Sequence, residues 1–238
     1  MDISLTIDTG PFTAAMQTLA DRDLRIAGVW AVNDMAEEIR QDVSKRMTVV
    51  FDRPTPWSLN AFMVWRATQQ TMAASVQLRP SAGSRHYLHV QEEGGPRPQT
   101  GLEKALNMAL AVDGDVRSVI PGEFAKLDAY GNWSRGERNQ VMSQLKVQRD
   151  AAANETVASR KRAPRRSRYF VASKGLAPGV YRRDEVGGAA LRVLKLSAKV
   201  PVYQQRLGFY EGAQRLFEAR MTDHLTRTIG QIIAKRFG

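Results

Sequence analysis

Two long amphipathic helix patterns stand at opposite ends of this chain and constrain its fold more than any other feature. Apolar residues recur every three or four positions in residues 24–47 and again in 209–235. Because this spacing places them on one face of an α-helix, each pattern predicts a long helix with one buried side. The apolar positions are Leu24, Ala27, Ala31, Met35, Ile39, Val43 and Met47, and then Tyr210, Ala213, Phe217, Met221, Leu225, Ile229 and Ile232.

Short segments of strand composition fill much of the chain between these helices. The predicted strands are residues 3–7, 61–68, 74–79, 87–91, 169–173, 180–183 and 191–196, with shorter helices at 101–111 and 137–148. The connections between many of these strands are short and rich in turn residues, and such connections favour antiparallel pairing. We therefore predict an α+β fold in which a mainly antiparallel sheet packs against the long N-terminal and C-terminal helices.

The length and composition are those of a globular chain. It has 238 residues, of which 43% are hydrophobic and 25% are charged, so it is able to bury a core. We predict a single α+β domain over residues 1–238 with two extended arms. The first is the proline-rich segment 51–60, and the second is the basic loop 151–168, which Pro164 interrupts.

Positive charge is concentrated in the C-terminal part of the chain. The net charge is +11, and residues 151–238 contain 18 Lys and Arg against 6 Asp and Glu. Such a segment indicates a polyanion or an acidic protein surface as partner, although a solvated loop is an equally simple interpretation. The predicted contact residues are Arg160, Lys161, Arg162, Arg165, Arg166 and Arg168.

No catalytic, cofactor-binding or metal-ligating set is predicted. The chain has no cysteine and three histidines, and it lacks the glycine-rich phosphate loops and the hydrolase and zinc-protease motifs. No apolar run approaches 18 residues, and no secretory signal opens the sequence. We expect a soluble protein that is not an enzyme.

Two stretches resemble morphogenesis proteins of tailed bacteriophages. Residues 87–106 are similar to a pattern in small tail-completion and head–tail joining proteins: an aromatic-containing strand, Val, Glu, Gly-Thr, prolines and then a helix. In this chain Gly95 stands where threonine is usual. Residues 127–145 contain Tyr-Gly-Asn-x-x-Arg-Gly followed by a helix, a pattern that resembles minor tail proteins related to the lambda Z protein. The strand at 168–175 and the closing segment 199–229 also resemble that family.

The resemblance implies a virion component of the tail or neck that is present in the host cytoplasm during assembly. It would complete the tail and join it to the head by protein–protein docking. Its implied partners are other copies of itself in a ring, the tail-terminator, tail-tube or head connector proteins, and packaged double-stranded DNA, with no membrane. A non-specific DNA-binding protein that uses the basic C-terminal part is the alternative.

Overall fold

The computed structural model describes residues 22–80, 87–109, 116–162, 168–171, 175–184 and 188–237. The strand predicted at residues 3–7 lies outside them. Contacts group the chain into two compact units: a helical unit, Met1–Leu88 with Arg206–Gly238, and a sheet unit, His89–Gln205. The single domain therefore stays a prediction.

Two long helices, α1 (Leu24–Val50) and α7 (Phe209–Phe237), pack against each other in the helical unit. Acidic side chains of α1 and the residue before it meet basic side chains of α7. The pairs are Asp23 with Arg236 at 2.5 Å, Asp34 with Arg227 at 2.8 Å, and Glu38 with His224 at 2.5 Å and Arg220 at 3.3 Å. Because partner numbers fall along one helix as they rise along the other, the ion pairs specify an antiparallel register.

The buried line of α7 differs from the predicted apolar stripe. His224, Thr228 and Ile232 are buried, whereas Tyr210 is 70% exposed and Phe217 is 48% exposed. These three buried residues are four positions apart, which is the spacing of the ridges that helices commonly use in packing. Because four residues are slightly more than one helical turn, a line of such residues winds slowly around the helix. An apolar pattern of threes and fours therefore predicts the helix correctly, but places its N-terminal aromatic residues on the wrong face.

Replacing Gly230 with alanine is expected to raise the free energy of unfolding by about 0.5–1 kcal/mol. Gly230 is exposed within α7, and an added Cβ would have no atom within 4 Å. Chemical denaturation followed by circular dichroism measures the change. Gly208→Ala is the contrasting variant: Gly208 has φ +60°, and a Cβ would lie 2.7 Å from the Arg46 guanidinium. An equal effect of both substitutions would contradict this prediction.

A short helix and a hairpin complete the described helical unit. Helix α2 (Pro56–Leu59) precedes the antiparallel strands β1 (Phe62–Trp65) and β2 (Ser75–Leu78). The extended conformation predicted for residues 51–60 is therefore wrong in its second half. Pro56 occupies the first turn of a helix, where proline fits, and the Thr55 side chain caps it by accepting a hydrogen bond from the Ser58 amide at 3.2 Å.

The core of the helical unit lies where these elements meet α1. Buried apolar side chains from α1, β1 and the segment before α7 contact one another, and the Phe62 and Phe209 rings stack at 4.9 Å. The buried members are Val43, Met47, Ala61, Phe62, Leu88 and Leu207.

Residues 87–91 form helix α3 (Tyr87–Glu93) and not the predicted strand. Leu88 and Gln91 are buried while His89 between them is exposed. A spacing of three places Leu88 and Gln91 on the same helical face. In so short an apolar segment, alternation alone does not separate a strand from a helix. The boundary between the two units falls within α3.

The described elements of the sheet unit, in chain order, are β3 (Gly95–Pro96), α4 (Gly101–Ala109), β4 (Ser118–Pro121), α5 (Arg135–Gln144), α6 (Val157–Arg162), β5 (Tyr169–Val171), β6 (Gly179–Arg183), β7 (Ala190–Ser197) and β8 (Val202–Tyr203). Four of the strands form an antiparallel sheet in the order β4-β7-β6-β5. The core of this unit combines residues of the sheet with residues of α4 and α5, including Leu106, Val141 and Leu194.

The predicted fold class is confirmed: the protein is α+β with antiparallel sheets, and its long N-terminal and C-terminal helices pack together. The strands predicted around residues 169, 180 and 191 and the helix predicted at 101–111 are present as β5, β6, β7 and α4. The loop predicted at 151–168 is wrong for α6, where Thr156 caps a helix through the Ser159 amide.

Candidate docking surfaces

One buried carboxylate separates the predicted basic contact residues into those that it binds and those that stay exposed. Glu155, whose side chain is 3% exposed, binds Arg160 Nε at 3.0 Å and Arg168 Nη1 at 3.1 Å. Both arginines are therefore engaged in holding α6 near the start of β5. Lys161 and Arg162 are exposed on α6, and no contact among the described residues engages their charged ends. Arg165 and Arg166 lie outside the described residues.

Replacing Arg160 and Arg168 together with serine is expected to lower the free energy of unfolding by about 1–3 kcal/mol. The change leaves the buried Glu155 carboxylate without its two guanidinium donors. Lys161→Ser with Arg162→Ser removes the same charge from the exposed positions and is expected to change it by less than about 0.5 kcal/mol. Urea denaturation of both double variants measures the difference, and equal losses would contradict this division of roles.

A second buried carboxylate, Glu137, organises the loop that carries the Tyr-Gly-Asn motif. The Ser134 side chain caps α5 by accepting a hydrogen bond from the Glu137 amide. Glu137 therefore lies in the first turn of α5, and its side chain is 1% exposed. Its oxygens accept hydrogen bonds from two loop groups, the Lys126 amide at 2.7 Å and Trp133 Nε1 at 2.9 Å. They also contact two strand side chains, Tyr169 OH at 3.0 Å and Arg182 Nη1 at 3.5 Å.

The same loop, residues 123–134, is closed on itself at its tip. The Asp128 carboxylate accepts hydrogen bonds from the amides of Tyr130 and Asn132, both at 2.9 Å. Gly131 occupies the left-handed region at φ +78°, which a glycine adopts without strain. Two carboxylates and a bridge between Leu127 and Trp133 therefore hold the backbone of this loop in one conformation.

This constrained loop presents apolar side chains to solvent. Phe124 is 47% exposed, Leu127 is 51% exposed and Tyr130 is 40% exposed. Exposed aromatic side chains on a rigid backbone are typical of protein contact surfaces, because binding them costs little conformational entropy. We name residues 123–134 the display loop.

The helical unit also exposes aromatic residues. Three of the four tryptophans in the chain lie there, with Trp30 41%, Trp57 56% and Trp65 52% exposed. Tryptophan is enriched in protein interfaces and contributes strongly to their binding energy. Each of these three tryptophans is therefore a candidate contact residue for another protein.

A third buried carboxylate joins elements of the sheet unit. Glu103, 2% exposed, contacts Arg97 at 2.6 Å and accepts hydrogen bonds from the Thr100 and Val119 amides at 2.7 and 3.0 Å. It thereby links the segment after β3 to α4 and β4. Within the described ranges, no group of three or more His, Asp or Glu side chains is arranged to hold a metal ion. No helix in those ranges combines the length and apolar character that a membrane span needs.

No family model, no curated protein and no solved structure matches this chain. The sequence motifs in residues 87–106 and 127–145 carry the resemblance to phage tail proteins.

Proposed function

We propose that this protein is a non-enzymatic structural component of a tailed-phage virion, placed at the head-proximal end of the tail or in the neck. It acts by docking on neighbouring proteins and on copies of itself. The observation that carries the proposal is the display loop: the motif that resembles the minor tail proteins coincides with a backbone constrained by Glu137 and Asp128 that exposes Phe124, Leu127 and Tyr130.

The display loop suits an assembly protein for a physical reason. A subunit that joins two rings must bind without a large entropic cost, and a loop already held in its bound shape meets this need. Exposed basic side chains such as Lys161 and Arg162 add electrostatic steering toward acidic neighbours. The tail-terminator, tail-tube and head connector proteins are the proposed partners.

Fractionation of phage particles tests the assignment. Virions and tails purified on a density gradient are probed for this chain by mass spectrometry, and we expect it in the particles at a few copies each. Recovery only from the non-particulate fraction, bound to DNA with a steep salt dependence, would contradict the proposal and favour the DNA-binding alternative.

Substitution of the display loop tests the surface. Phe124→Ser, Leu127→Ser and Tyr130→Ser together are expected to reduce incorporation into particles about 100-fold, since each side chain contributes on the order of 1 kcal/mol to docking. Val157→Ser with Val200→Ser is the control, because these valines are 74% and 46% exposed outside the loop. Normal incorporation of the triple variant would refute the role of the loop, provided that circular dichroism shows both proteins folded.

A further inference from the structure

A cleft in the helical unit has chemistry that the docking proposal does not use. It has a volume of about 320 Å³ and lies between the beginning of α1 and the last turns of α7. Its apolar wall is formed by Ile26 and Trp30 of α1 and by Ile232 of α7. Trp30 presents 41% of its surface to solvent, so an apolar group from outside is able to cover it.

The rim of this cleft is positively charged. Arg22 and Lys235 line it and are exposed, and no described carboxylate forms an ion pair with either. The acidic residue of the lining, Asp23, is 7% exposed and already binds Arg236 at 2.5 Å. Asp23 and Arg236 therefore neutralise each other, and Arg22 and Lys235 give the described lining of the cleft a net charge of +2.

The dimensions of the cleft favour a peptide over a small anion. Ile26 and Trp30 are one turn apart on α1, and Arg22 lies two residues before that helix begins, so the lining extends roughly 12 Å from Arg22 to Trp30. An extended peptide advances about 3.3 Å per residue, so three or four residues span that length. A single aromatic carboxylate would cover only part of it.

We propose that this cleft binds an acidic peptide segment of a partner protein. An aromatic or branched apolar side chain of the segment packs on Trp30 and Ile232, and neighbouring carboxylates contact Arg22 and Lys235. Charge complementarity with the rim selects the partner. The inference does not depend on the phage assignment, since it concerns a site on the isolated protein.

Calorimetric titration of the purified full chain tests the proposal. The probe is the peptide N-acetyl-Asp-Asp-Phe-Asp-amide, and its uncharged counterpart N-acetyl-Asn-Asn-Phe-Asn-amide controls for the apolar contact. We expect saturable one-to-one binding of the acidic peptide. Replacing Arg22 and Lys235 together with glutamine is expected to weaken it about tenfold, as two exposed ion pairs would. Trp30→Ala is expected to weaken it as well, with an unchanged circular dichroism spectrum.

The matched control is Arg25→Gln with Lys45→Gln, which removes two positive charges from exposed positions outside the cleft. We expect this variant to retain binding within about twofold. Equal weakening by both double variants would overturn the proposal, because net charge alone would then explain binding. Equal affinity for the neutral peptide or for phenylacetate, or no binding of the acidic peptide at millimolar concentration, would overturn it as well.

Discussion

Replacing Glu137 with glutamine is expected to lower the free energy of unfolding of the sheet unit by about 3 kcal/mol. The carboxylate is 1% exposed, and four groups converge on its two oxygens: the Lys126 amide, Trp133 Nε1, Tyr169 OH and Arg182. Glutamine offers one acceptor oxygen, and its NH2 group would face other donors. Buried donors left without an acceptor account for most of the loss.

Urea denaturation and hydrogen–deuterium exchange measure this effect. Besides the lower stability, we expect faster exchange in residues 123–134, because Glu137 connects this loop to β5 and β6. Glu123→Gln is the control: this carboxylate is 58% exposed and pairs with Lys195 at 2.7 Å, so its removal should cost far less stability than the removal of Glu137. If Glu137→Gln had the same stability and the same exchange rates as the native chain, the prediction that Glu137 fixes the conformation of the display loop would be wrong.

The second large effect is a loss of stability in acid that depends on Glu103. Burial by itself would raise the pKa of this carboxyl, but the Arg97 guanidinium and the hydrogen bonds from Thr100 and Val119 outweigh burial and lower the pKa to about 2. A carboxyl with a lowered pKa stabilises the fold above its unfolded pKa of about 4.5. That contribution, about 3 kcal/mol, is lost as the pH falls from 4.5 to 2.

The comparison of the native chain with Glu103→Gln isolates the contribution of the Glu103 carboxylate to the free energy of unfolding. At pH 7 the native chain is expected to be the more stable by about 3 kcal/mol, and the difference should shrink as the pH falls through this window. Urea denaturation at several pH values provides the measurement. Other carboxyls such as Glu37, whose pKa is also lowered to about 2 mainly by Arg40, affect both proteins equally. A difference that stayed constant from pH 7 to pH 2 would disprove the account.

Local patterns in the sequence predicted the elements with strong periodicity. The helices α1, α4 and α7 and the strands β5, β6 and β7 were predicted because spacing of apolar residues and turn residues act over a few positions. The strand predicted at residues 87–91 was wrong because its burial comes from contacts with residues distant in sequence, such as those of Leu88 with the core near Val43 and Phe62.

The sequence predicted only part of the hydrogen bonding around the buried glutamates Glu103 and Glu137. Thr100-x-x-Glu103 and Ser134-x-x-Glu137 both match the Ser/Thr-x-x-Glu pattern of a helix start, so the sequence contains a signal for both buried glutamates. Glu103 does accept a hydrogen bond from the Thr100 amide, as that pattern requires. Glu137 instead binds the Lys126 amide and Tyr169, which no local rule indicates.

The sequence by itself determined the α+β class, both long helices and the concentration of positive charge after residue 150, since each depends on composition or short-range spacing. The tertiary structure alone decided which charges are available. Glu155 binds Arg160 and Arg168, while Lys161 and Arg162 between them are exposed. It also decided which aromatic residues face solvent. Burial and pairing depend on groups brought together from distant positions in the chain, and a one-dimensional pattern does not contain those distances.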